Sequence, residues 1–95
     1  MLPSKLTNDA DTLKRLLHAK GRHDLDVIAR GNNLTIFSGS KEALEPRMRF
    51  TRLADGRYGV SLPAHNGRWD PAPCCGPLAQ VLEDTVAAFG FYLDP

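Results

Sequence analysis

Cys74 and Cys75 stand side by side ahead of Gly76-Pro77, at what reads as a helix N-terminus. There, free N–H groups and the helix dipole lower a thiol pKa and favour redox or nucleophilic chemistry. The spacing is not Cys-x-x-Cys, and a disulfide between neighbours is strained, so the pair reads as two ordinary thiols in a proline-rich loop. The three histidines, His18, His23 and His65, fall on a helix, a loop and a turn. His18 and His23 are separated by the helix-ending Gly21, which is not ligand spacing on one helical face. Gly76 alone makes no phosphate loop, and no Ser/His/Asp ordering or nucleophile elbow is present. The expectation is a protein that is not an enzyme, with no catalytic residues, no cofactor and no metal.

A second constellation is made of arginines and phenylalanines. Its chemistry depends on which strand face each residue occupies, and the elements and their turns decide that. Thr7, Asn8 and Asp9 are N-cap types, and Leu6, Ala10, Leu13, Leu16 and Leu17 follow helical spacing. With Lys20 and Gly21 as a stop signal, this predicts a helix from Asn8 to Lys20. Leu25–Arg30 and Leu34–Phe37 flank the turn residues Gly31-Asn32 and predict a hairpin pairing Ala29 with Leu34 and Val27 with Ile36. Ser38 to Pro46 reads as a polar connection, with one helical turn over Lys41–Glu45 stopped by Pro46.

Met48–Ala54 and Arg57–Leu62, joined by Asp55-Gly56, predict a second hairpin. As a two-residue turn, Asp55-Gly56 pairs Leu53 with Tyr58, Thr51 with Val60 and Arg49 with Leu62. Phe50, Arg52, Arg57, Gly59 and Ser61 then share the opposite face. Asn66-Gly67 returns a short fifth strand through Arg68-Trp69-Asp70, with Trp69 against Ala64 on the Tyr58/Val60 face and Arg68 against His65 on the other. Pro71 and Pro73 end it. Pro77 opens a last helix whose stripe is Leu78, Val81, Leu82, Thr85, Val86 and Phe89, with Gly90 at its C′ position. Phe91, Tyr92 and Leu93 lie back on the core.

The expected core is Leu13, Leu17, Val27, Ile36, Leu53, Val60, Trp69, Leu82 and Phe89. The fold class is α+β, a two-layer sandwich: an antiparallel meander of four to five strands with the N-terminal and C-terminal helices on one face. The other sheet face is left open. The order helix, antiparallel strands, helix, with a tryptophan late in the sheet, resembles that of the frataxin family. That family's acidic first helix and strand, which carry its iron-linked role, are absent, because Asp9 and Asp11 sit among Lys14, Arg15 and Lys20. No function is carried over.

The chain has 95 residues, which reads as one domain over 1–95 that buries roughly 64% of its unfolded surface. Leu, Ile, Val and Phe contribute 23 residues, enough to sustain a core. No apolar run approaches the roughly 18 residues of a membrane helix, and Met1–Asp11 has no signal-peptide pattern. With two cysteines, the chain reads as cytoplasmic. Net charge is +1, but all 12 Lys and Arg precede Trp69, while the stretch from Asp70 onward holds four acids and no base.

On these registers the open face carries Arg30, Arg52, Arg57 and Arg68, with Phe37 and Phe50 between them. Arginines and aromatics on an open sheet suit a protein interface centre, or a platform for single-stranded RNA. The near-zero net charge favours a protein partner or self-association over nucleic acid. The expectation is a small non-catalytic interaction module, with weak RNA binding as the alternative and a thiol role third. Phe50→Ala and Arg52→Ala are expected to weaken partner binding and leave thermal stability nearly unchanged.

Overall fold

The computed structural model describes residues 6–39, 44–64 and 66–93. Helix α1 spans Thr7–Ala19. Five strands follow, β1 (Leu25–Arg30), β2 (Asn33–Ser38), β3 (Glu45–Arg52), β4 (Tyr58–Pro63) and β5 (Trp69–Gly76), and then helix α2 (Leu78–Phe89). The strands form one antiparallel sheet in the order β1-β2-β3-β4-β5. Leu13 and Leu17 of α1 and Val81 and Leu82 of α2 join one buried cluster with Leu25, Leu34, Ile36, Met48, Phe50, Tyr58, Val60 and Leu62. Both helices therefore cover the same face. The α+β sandwich with an open second face is the architecture of this chain.

The first hairpin has the expected register, with Ala29 opposite Leu34 and Val27 opposite Ile36. Of its two turn residues only Gly31 has positive φ, as a type II′ turn requires. The other two hairpins are shifted by one residue. The Leu53 N–H donates to Arg57 O at 2.7 Å and the Gly56 N–H to Leu53 O at 3.0 Å, so the loop is Ala54-Asp55-Gly56. In the last hairpin the Ala64 N–H donates to Arg68 O at 2.8 Å and the Gly67 N–H to Ala64 O at 3.1 Å, around a three-residue loop. Gly56 and Gly67 take φ of 84° and 79°, the left-handed position that closes a three-residue hairpin loop.

This shift corrects the expected faces. Phe50 opposes Val60, Thr51 opposes Gly59 and Arg49 opposes Ser61. Phe50 is fully buried, while Leu53 is exposed. Trp69 opposes Pro63 rather than Ala64, and it lies half-buried on the open side. A one-residue slip moves every side chain of a strand to the other face.

Other expected boundaries also change. Glu45 and Pro46 belong to β3, and Pro46 sits opposite Phe37 at a bulge, where a missing N–H is tolerated. Of the rest of the expected helical turn, Leu44 is not helical and residues 41–43 lie outside the described residues. Pro71 and Pro73 do not end β5, which continues to Gly76. It is an edge strand, so their missing donors break no inner ladder. Pro77 caps α2 rather than opening it, and Gly90 stays right-handed. The chain then makes a 3₁₀ turn over Gly90–Leu93 that buries Leu93, and Arg22 Nη2 donates to Leu93 O at 2.6 Å.

Candidate functional site

Alternation along the paired strands places Ile28, Thr35, Arg49, Ser61 and Pro71 in one row across the uncovered face. Arg30, Asn33, Thr51, Gly59 and Cys75 form the next row. Arg49 stands on the central strand, in the middle of its row. Its guanidinium carbon lies 4.7 Å from the ring centroid of Trp69, within cation–π range. Its Nε is buried and, among the described residues, has no hydrogen-bond partner, so stacking fixes the group without satisfying that donor. Phe37 borders this row half-buried, and Ile28 is 41% exposed at its β1 end. Thr51 Oγ1 donates to Asn33 Oδ1 at 2.7 Å and ties the second row together.

Of the residues proposed from sequence, Phe37, Arg30 and Arg57 lie on this face. Arg57 is held within its own turn by Asp55, with Nε 2.6 Å from Oδ2. The Asp55 carboxylate raises the guanidinium pKa, while the Arg57 backbone N–H, and after it the guanidinium, draw the Asp55 carboxyl below its ordinary value. Arg52 and Arg68 fall on the opposite side by register, Arg52 across from Tyr58 and Arg68 across from Ala64. Both are exposed at hairpin ends. Phe50 is in the core and reaches no partner. Sequence reasoning missed Arg49 and Trp69; the alternation of Met48 and Phe50 with Arg47, Arg49 and Thr51 was the signal for the outward Arg49 alone.

The other constellations assemble less. Cys74 is half-buried against the core and Cys75 is exposed. The His18 and His23 rings lie 5.0 Å apart. His18 Nε2 donates to Leu25 O at 3.2 Å, since a carbonyl only accepts. Among the described residues, no group of three His, Cys, Asp or Glu side chains is placed to hold a metal ion, and no helix is long and apolar enough to cross a membrane. Comparison with protein-family models, curated proteins and solved structures finds no match.

Proposed function

We propose that this protein is a non-catalytic interaction module whose open sheet face receives a protein partner. The observation that supports this reading is the stack of Trp69, from the edge strand β5, with Arg49 on the central strand of a face that neither helix covers. Arginine and tryptophan are the residue types that concentrate binding energy at interface centres. They share the face with Phe37 and the exposed Ile28, with small polar threonines and a serine between. A partner carboxylate or carbonyl placed over Arg49 would meet a guanidinium already oriented by the indole. Single-stranded RNA is the second reading. It is disfavoured because Arg49 occupies a Trp69 ring face on which a base would stack.

The test is capture from the native host with wild-type, Arg49→Ala, Trp69→Ala and Arg52→Ala proteins, each with and without nuclease. A protein retained by wild-type and Arg52→Ala, and lost from Arg49→Ala and Trp69→Ala, is the expected result. Capture that disappears with nuclease and weakens steeply with salt would replace this reading with the RNA one. Equal capture by all four proteins would move the site off the open face.

A further inference from the structure

We infer that the outer edge of β1, which no strand pairs among the described residues, pairs with the same edge of a second copy, joining two sheets about a two-fold axis at Ile28. The two edges of this sheet are unlike. On β5, Pro71 and Pro73 have no N–H to give, and the strand is bulged where Gly59 and Val60 meet Cys75 and Ala72. Such an edge resists extension. The β1 edge, Leu25–Arg30, contains neither proline nor bulge. A chain with one competent edge adds one copy and stops, because the new outer edges are both of the blocked kind.

The direction of the backbone groups follows from the first hairpin. A two-residue turn closes on a hydrogen-bonded pair, here Arg30 and Asn33, so Ile28 and Asp26 also direct their N–H and C=O groups toward β2. Leu25, Val27 and Ala29 direct theirs outward. Two local contacts agree with this. His18 Nε2 donates to Leu25 O, and the Val27 N–H donates to Asp26 Oδ1 at 2.8 Å. The Ala29 N–H and C=O lie on the part of the edge that neither side chain reaches.

The side chains are self-complementary in this arrangement. Asp26, Ile28 and Arg30 occupy the open face in the order acid, apolar, base. An antiparallel pairing centred on Ile28 places Ile28 against Ile28 of the second copy. It places Asp26 against the second copy's Arg30, and Arg30 against its Asp26. These are non-hydrogen-bonded pairs, the closer kind, where cross-strand charges interact most directly. Val27 and Ala29 exchange main-chain hydrogen bonds with Ala29 and Val27 of the second copy. Asp26 is engaged in the single chain, 3.1 Å from Lys14 Nζ and accepting from Val27. Pairing substitutes the second copy's carbonyl for Asp26 at the Val27 N–H and frees the carboxylate to face Arg30. Both partners of the Lys14 contact are well exposed, so that competitor is weak.

Sedimentation equilibrium of the full chain at low salt, with Arg30→Asp, Asp26→Arg and the double charge exchange, tests this. Far-UV circular dichroism of each variant establishes that it folds. The expected result is a wild-type dimer, a dissociation constant raised about tenfold or more in each single variant, and recovery in the double exchange. Arg49→Ala, away from this edge, should leave the dimer unchanged even where it abolishes partner capture. A wild-type chain that stays monomeric at high concentration, or a dimer indifferent to both charge reversals, would overturn the inference.

Discussion

The Tyr58 hydroxyl donates a 2.6 Å hydrogen bond to Asp9 Oδ2, fastening the first turn of α1 to the start of β4. Tyr58 is 2% exposed and Asp9 is half-buried, so the bond is partly shielded from water. Burial, and then the Asp9 carboxylate, raise the phenol pKa above its ordinary value.

Tyr58→Phe keeps the packed ring and removes the bond, leaving an under-satisfied carboxylate at the helix start. A loss of about 1.5–3 kcal/mol in denaturant unfolding is expected, as for hydrogen bonds to charged groups. The same pair sets an alkaline limit. The unfolded phenol releases its proton near pH 10, while the folded one holds it, so the unfolded state binds fewer protons and stability falls as pH rises past about 10. Wild-type stability should decline there more steeply than that of Tyr58→Phe. Parallel declines would show that the bond carries no differential proton affinity.

Phe50 and Arg52 separate the two faces by stability. Phe50 is completely buried between Leu34 and Val60, so Phe50→Ala should cost about 3–5 kcal/mol. Arg52→Ala, exposed at the strand end, should stay within about 0.5 kcal/mol. Thermal melts of the two variants check this. An unchanged melting temperature for Phe50→Ala would return that ring to the open face and reverse the β3 register.

That register marks where the sequence was legible and where it was not. Helix α1, helix α2 and the first hairpin were readable because apolar spacing and turn chemistry agree in each. In the second hairpin they conflict. Met48 and Phe50 alternate with Arg47, Arg49 and Thr51, which assigns Phe50 inward. Reading Asp55-Gly56 as a two-residue turn assigns it outward. The chain resolves the conflict by taking Ala54 into the loop, because burying Met48 and Phe50 outweighs the small difference between two acceptable turns. The same resolution at the Asn66-Gly67 turn brings Trp69 beneath Arg49. The centre of the candidate site was therefore hidden by a turn of one extra residue. Cross-strand stacking of Arg49 on Trp69 is a tertiary fact that no local pattern announces.

Thr85 is a second place where local reading stops short. Its position in the α2 stripe makes it a core residue, and it is fully buried. Among the described residues, its Oγ1 has no hydrogen-bond partner. A buried, unpaired hydroxyl is destabilising relative to a methyl of the same shape. Thr85→Val should raise stability by about 1–2 kcal/mol, visible as a higher melting temperature. A loss of stability would mean that the hydroxyl is satisfied in solution, through the carbonyl one helical turn back or through water.

The three-residue loops lead to a prediction about chain length. In the second hairpin Leu53 and Arg57 close the loop, with Gly56 supplying the one left-handed position. Deleting Ala54 leaves Asp55-Gly56 as a two-residue loop between the same closing residues. Asp-Gly suits the type I′ turn that such a loop prefers. The pairing of Phe50 with Val60 and of Arg49 with Ser61 should survive, because the deleted residue lies outside the ladder. Stability should change by no more than about 1 kcal/mol, and Phe50 should stay buried. Substituting Val for Gly56 should do more harm, since a β-branched residue is strained at φ of 84°. Melting temperatures of the two variants, with amide exchange across β3 and β4, provide the check. If deleting Ala54 unfolds the domain while Gly56→Val is tolerated, the loop is not what fixes the register, and the explanation for the buried Phe50 and the outward Arg49 fails with it.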